Sequence, residues 1–248
     1  MSPNRAKPLL LLALLFVAVR SAAAQTTVDE VLARYAKAVD PEGRVASIQG
    51  MKMTGTMEMP AVGMSASMVA VQRRPNQTAV TITVPGLGEM RQGFDGTVAW
   101  ASDPMQGPRI MSGLEATSMS DGADFRALTR PADLFTTSEM VGEIDLDGQK
   151  CLRIKHTWKS GRVTSDCYSV ESGLIIQTLA TQSGPQGEIQ TEQRISDYRP
   201  VGGVMMPFKA VVSLMGMQQI VTTTAIEVGE QDPKLVEAPA AVTALKKP

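Results

Sequence analysis

From residue 51 onward the chain alternates apolar and polar side chains with a period of two. Met51, Met53, Met57 and Met59 alternate with Lys52, Thr54, Thr56 and Glu58, and successive side chains of a strand point to opposite faces. Such a segment is a half-buried strand. Strand-like runs follow near residues 64–74, 77–85, 88–94 and 97–101, then at about 139–147, 150–158, 163–170, 174–182, 187–198, 204–215 and 218–228. Pro and Gly punctuate them, as at Pro75-Asn76, Pro85-Gly86 and Asp147-Gly148, residue pairs that set turn geometry. About ten to twelve strands predict a mainly β chain built on one strongly curved antiparallel sheet partly closed by helices. A closed apolar barrel without helices and a two-sheet sandwich are the alternatives.

Three segments depart from the strand pattern. Val28, Val31, Leu32, Tyr35 and Val39 recur at helical spacing, and Thr27 with Glu30 forms a capping-box pattern, so a helix is expected from Thr27 to Val39, ending before Pro41 and Gly43. Between Gly113 and Phe135, Leu114, Phe125, Leu128 and Leu134 are scattered among Asp, Ser and Thr, which reads as one or two short helices. The tail after Asp232 is rich in Pro, Ala and Lys and is expected to be mobile over 233–248.

The N-terminus reads as a removable secretory signal. Arg5 and Lys7 precede an apolar run from Pro8 to Val19 and the small residues Ser21 to Ala24, the order a signal peptidase accepts. The run falls well short of the ~20 residues a membrane-spanning helix needs. Cleavage is expected after Ala24, leaving one domain over 25–232. Gln25 stands where a lipid-modified bacterial lipoprotein would carry cysteine, so an unanchored periplasmic or secreted protein is expected.

Charge and residue counts exclude several classes. The signal removes three basic residues and no acidic one, taking the formal charge from -1 to -4, and nucleic-acid binding is not expected. The single histidine, His156, cannot build a His/Cys zinc cluster, and beside Trp158 it reads as a surface or packing residue. Asp145 and Asp147 precede Gly148 in a hairpin turn, and Gly86-Leu87-Gly88 lacks the third glycine of a dinucleotide site. No cofactor, no metal and no catalytic residue is assigned. Cys151 and Cys167 flank a hairpin loop near Lys159-Ser160-Gly161 and lie close to opposite one another across it. In an exported chain they form a cross-strand disulfide, or remain two buried thiols.

Methionine is the outlier, with 16 residues, six of them (Met51, Met53, Met57, Met59, Met64, Met68) crowded at the start of the sheet. They form either ordinary core or the wall of an apolar cavity, where flexible thioethers re-pack around different ligands. Soft-metal binding is the sharper rival, but neither His nor Cys lies nearby in the sequence. Trp100 and Phe94 bracket a hairpin and are expected to pack inside, with Trp100 counted in the cavity wall.

Arg73-Arg74-Pro75-Asn76, then Asp95-Gly96-Thr97-Val98-Ala99-Trp100 and Asp103-Pro104, and later Ser196-Asp197-Tyr198-Arg199-Pro200-Val201-Gly202-Gly203 with Met206-Pro207-Phe208, occur in the order seen in the periplasmic carriers of lipoprotein sorting. The chain resembles that LolA-like family. The resemblance implies an unclosed barrel of about 11 antiparallel strands, with an N-terminal helix and a central helical lid, around a cavity for acyl chains. It implies that Arg74 ties strand to lid through helix-backbone carbonyls, a task suited to a planar guanidinium fork. The expected partners are the acyl chain of a lipoprotein or a free lipid, and envelope membrane proteins, for a monomer. The alternative is an envelope-sensing or interaction domain of the same fold without cargo. Val98 and Ala99 depart in part from the family's Lys-Thr-Leu, which bears on cargo more than on fold.

Overall fold

The computed structural model describes residues 26–184 and 187–245; the expected signal peptide, 1–24, lies outside them. Helix α1 (Val28–Val39) leads into a 3-10 turn at Arg44–Ser47 and a first meander of strands. These are β1 (Gly50–Met59), β2 (Met64–Arg73), β3 (Gln77–Val84), β4 (Gly88–Phe94), β5 (Ala99–Asp103) and β6 (Gly107–Ile110). Helix α2 (Gly113–Ala123) and two 3-10 turns follow. A second meander contains β7 (Phe135–Leu146), β8 (Gln149–Trp158), β9 (Val163–Ser169), β10 (Ile175–Gly184), β11 (Gly187–Val201), β12 (Val204–Leu214) and β13 (Met217–Val228). A short helix α3 (Ala240–Thr243) ends the described chain.

All thirteen strands form one antiparallel sheet in the order β6-β5-β4-β3-β2-β1-β13-β12-β11-β10-β9-β8-β7. Each meander is local, and the pairing of β1 with β13 welds the two together. The sheet does not close, because β6 and β7, consecutive in sequence, are its two edges. The strand beyond those expected is β6, four residues containing Gly107 and Pro108, too short and too interrupted to show a period.

The sheet curls. α2 touches β3, β4 and β5 on one side and β10 on the other, strands that a flat sheet with ~4.8 Å spacing would hold roughly 30 Å apart. Bulges assist the bending. At the β1–β13 seam the register shifts between Thr54 and Gly55, where a Cβ on Gly55 would lie 2.1 Å from the Thr222 carbonyl oxygen. Only glycine fits there.

Cross-strand partners share a face, so the registers sort the side chains. Met51, Met53, Met57 and Met59 pair with Gln72, Ala70, Ala66 and Met64, and this inner face carries the helices. The capping box of α1 forms as expected, with Thr27 Oγ1 accepting from the Glu30 amide and Glu30 returning the bond. Val31, Leu32, Tyr35 and Val39 are buried against Met51, Ile154, Ile175, Val204, Met206 and Phe208, each contributing roughly 1.5–3 kcal/mol.

Two expectations are corrected here. Phe94 pairs with Ala99, so Trp100, one residue on, points to the outer face, away from any inner cavity. There it packs with Val71 and Ala79 under Val236 and Val242 of the C-terminal segment. The tail is therefore not mobile through residue 245: the two valines are 1% and 0% exposed, and their apolar contact with Trp100 outweighs the Pro- and Lys-rich composition around them. The cysteines form a disulfide with Cα atoms 5.4 Å apart, but diagonally, because Cys151 faces Ser169 and Cys167 faces Arg153. Val242→Asp is expected to cost about 2 kcal/mol and to red-shift tryptophan emission; an unchanged spectrum and denaturation midpoint would contradict this docking.

Candidate functional site

The inner face has two halves with different contents. Under α1 it is filled, by the apolar cluster above and by a buried polar network. The carboxylate of Asp166, fully buried on β9, accepts from Arg130 Nη1 at 2.7 Å and from Thr178 Oγ1 at 2.6 Å. His156 on β8 is also fully buried; its Nδ1 lies 2.7 Å from Ser138 Oγ, its Nε2 lies 2.9 Å from Tyr168 Oη, and its ring stacks on Phe135. Arg130 comes from the segment between α2 and β7, with φ +47°, and its guanidinium also faces the Trp158 ring.

Burial opposes charge on Arg130, yet the Asp166 carboxylate and the surrounding tyrosines outweigh it and hold its pKa above the ordinary value. Burial raises the pKa of Tyr168 far above the ordinary phenol. His156 is lowered to about 4, by burial first and by Arg130, against the pull of Asp166. Ser138, His156 and Asp166 do not form a catalytic relay. The Nε2 to Asp166 Oδ2 separation is 3.8 Å, beyond hydrogen-bond reach, and a ring with no exposed surface offers no path for a substrate. The network fastens the segment after α2 to the sheet.

The other half is open. Between α2 and strands β3 and β4 lies a cleft of about 380 Å³ lined by Val80, Gln92, Leu114, Ser118, Met119 and Thr78 among others, within the size range of small-molecule sites. Along the same face it continues into half-buried Met64, Ile82 and Met90, packed on buried Met57, Ala66 and Val84; the described members of this cluster all lie on strands. Ala123 is the only fully buried residue of α2; Ala116 and Met119 pack against Ala99, Ala101 and Met111, and polar fasteners add to these contacts. Gln72 Nε2 donates to the Gly122 and Ala123 carbonyls at 3.1 and 3.0 Å. Asp121 accepts from Ser160 Oγ and Arg162 Nε, both at 2.8 Å, and Arg109 grips Glu115 bidentately.

Arg74 sits at the end of β2 as the sequence suggested, with different partners. Its Nε donates to the Ile48 carbonyl at 2.7 Å and its Nη2 to that of Val45 at 2.9 Å, so the acceptors belong to the turn between α1 and β1. Its link to the lid segment is the Phe125 ring, 4.9 Å from Cζ. Gln72 makes the strand-to-lid bonds expected of Arg74. Of the six methionines on the inner face, Met51 is part of the α1 core, while Met57 and Met64 belong to the open half and Met53, Met59 and Met68 are half-buried. Among the described residues no cluster of three or more His, Cys, Asp or Glu could hold a metal. No helix among them is long and apolar enough to cross a membrane.

A curled, unclosed antiparallel sheet with helices strapped across its inner face is a half-barrel, and it is the LolA-like fold. A LolA superfamily protein from Nitrosomonas europaea superposes with a TM-score of 0.56 at 11% identity, covering 86% of this chain and 99% of that one. A putative outer membrane lipoprotein-sorting protein domain from Vibrio parahaemolyticus superposes with a TM-score of 0.53 at 10% identity, covering 82% and 94%. No family model and no curated protein matches the sequence. At such identities the likeness is one of fold.

Because folding keeps His156 neutral, its contribution to stability is complete above pH 6.5, the ordinary value, and is lost as pH falls toward about 4. Unfolding free energy is expected to drop by about 3 kcal/mol across that window, and the step should vanish in His156→Gln. An unfolding pH profile identical in the two proteins would contradict the assignment.

Proposed function

We propose that this chain is an exported binding protein, not an enzyme, that shelters an acyl chain of a lipoprotein or free lipid between α2 and the methionine-lined part of its inner face. The observation that carries the reading is the open half of that face: a cleft beside an apolar strip, covered by a helix that packs only Ala116, Met119 and Ala123 as apolar contacts and is otherwise held through hydrogen bonds and ion pairs. The more exposed of these fasteners contribute only about 1 kcal/mol each, and none of them, the more buried Asp121–Arg162 pair included, belongs to the core beneath α1, so the lid can lift without dismantling that core. Met57, Met64, Met68 and Met90 supply a wall that adapts to chains of different shape. The signal-like N-terminus and Gln25 support a mature, unanchored protein in the periplasm, where an acyl chain needs shelter from water. The fold shared with a lipoprotein-sorting domain supports the same reading.

Titration of the purified protein with a fluorescent long-chain fatty acid tests it. Saturable binding is expected, weakened at least about tenfold by Leu114→Glu, which sets a charge in the cleft. Absence of binding, or binding indifferent to that substitution, would favour the alternative, an interaction domain of the same fold with no cargo.

A further inference from the structure

Four consecutive hairpin tips at one end of the sheet are apolar and uncharged. They are the turns 60–63, 85–87, 104–106 and 215–216, which join β1 to β2, β3 to β4, β5 to β6 and β12 to β13. None carries a charged residue, and each presents a large apolar side chain to solvent: Val62 is 65% exposed, Leu87 43%, Met105 80% and Met215 64%, with Met217 beside it at 48%. A further described turn at this end, 159–162 between β8 and β9, carries Lys159 and Arg162 and lies beyond the run of apolar tips; at the other end the turns 74–76, 95–98, 147–148 and 171–173 each carry a charged residue, and 202–203 is Gly-Gly.

The four apolar tips are consecutive along the sheet, since their hairpins occupy the run from β6 to β12. Neighbouring tips are thus roughly 10 Å apart and the rim spans about 30 Å; the turns 85–87 and 104–106 lie side by side, Gly88 facing the Pro104 ring. The rim is continuous with the open inner face. Inward from the Leu87 turn come Val84, then the pair Ile82 and Met90, then Val80 and Gln92 of the cleft.

Apolar side chains exposed in a row mark an interaction surface. Their spacing decides what kind. Single side chains on Pro- and Gly-containing turns, separated by about two strand widths, do not build the dense, desolvated patch at the centre of a protein interface. A fluid hydrocarbon surface needs no complementary shape and accepts each tip independently, with affinity set by the apolar area it buries. Resting on the binding role proposed above, we propose that this rim seats on a lipid bilayer surface and brings the apolar strip to the membrane, so that an acyl chain passes between bilayer and cleft without crossing water. The uncharged tips make the contact insensitive to salt and to anionic lipid.

Flotation with vesicles of phosphatidylethanolamine and a minority of phosphatidylglycerol, at low and high salt, tests the rim. The wild-type protein is expected to float in both. The combined variant Val62→Asp, Leu87→Asp, Met105→Asp and Met215→Asp, altered only at exposed positions and therefore folded, is expected to lose at least about a hundredfold in partitioning. Val141→Asp with Val170→Asp, away from these tips, should change nothing. Failure of the wild type to float, equal flotation of the four-tip variant, flotation abolished by salt, or a tip-dependent dimer without vesicles would each overturn the proposal. Uptake of the fluorescent fatty acid from vesicle-free solution separates the two ideas. A four-tip variant that binds fatty acid but not vesicles supports both, and a wild type that binds fatty acid but never vesicles refutes the rim alone.

Discussion

The pairing of β1 with β13 is the contact on which the rest depends. Either meander alone would expose one strand edge at each side. By joining Met51 to Val228 and Glu58 to Ile220, the seam turns two local sheets into one and leaves the free edges on β6 and β7. Those strands are joined by residues 111–134, which cross the inner face because the chain must travel from one edge to the other. The lid is thus a consequence of topology. The seam itself depends on Gly55, the one position where the backbone of β13 leaves no room for a Cβ, and on contacts some 170 residues apart in sequence, which loop-closure entropy makes slow to form.

The same crossing segment is held differently along its length. Its later part is anchored deeply, by the buried Arg130–Asp166 pair, by Phe125 in the α1 core and by the Tyr35 hydroxyl donating to the Leu128 carbonyl. Removing one member of a buried pair leaves an uncompensated charge at a cost of about 3–5 kcal/mol, so this part moves only if the domain unfolds. Its earlier part, α2, rests on polar bonds at both ends and on a small apolar contact of Ala116 and Met119 with Ala99, Ala101 and Met111, with a cleft beside it. One connection therefore serves as anchor and as lid, and the boundary between them falls near Ala123 and Asp124. The arrangement leaves the filled half to supply stability and the open half to change shape.

Much of the sheet was legible because its period is short and local: methionine alternation placed β1, and the Asp-Gly and Pro-Gly pairs placed turns. The inner orientation of the methionines follows from that alternation once one of them meets α1. What escaped depends on register or on long-range contact. The face of Trp100 is decided by one turn, in which Phe94 meets Ala99. The diagonal disulfide follows from the pairing of Thr157 with Val163, one step beyond the symmetric position. His156, Asp166 and Arg130 are scattered over 37 residues and carry no mutual spacing signal, so a lone histidine could not announce a buried network. Gln72 is two residues before Arg74 and equally inconspicuous, although it makes the bonds to the lid.

With α2 proposed as a lid over a binding cleft and α1 as structural core, hydrogen exchange resolved along the chain separates the two. Amides of α2 are expected to exchange much faster than those of α1 in the free protein and to slow markedly when a long-chain fatty acid is added, with α1 unchanged. Equal protection of the two helices, indifferent to the fatty acid, would contradict that proposal.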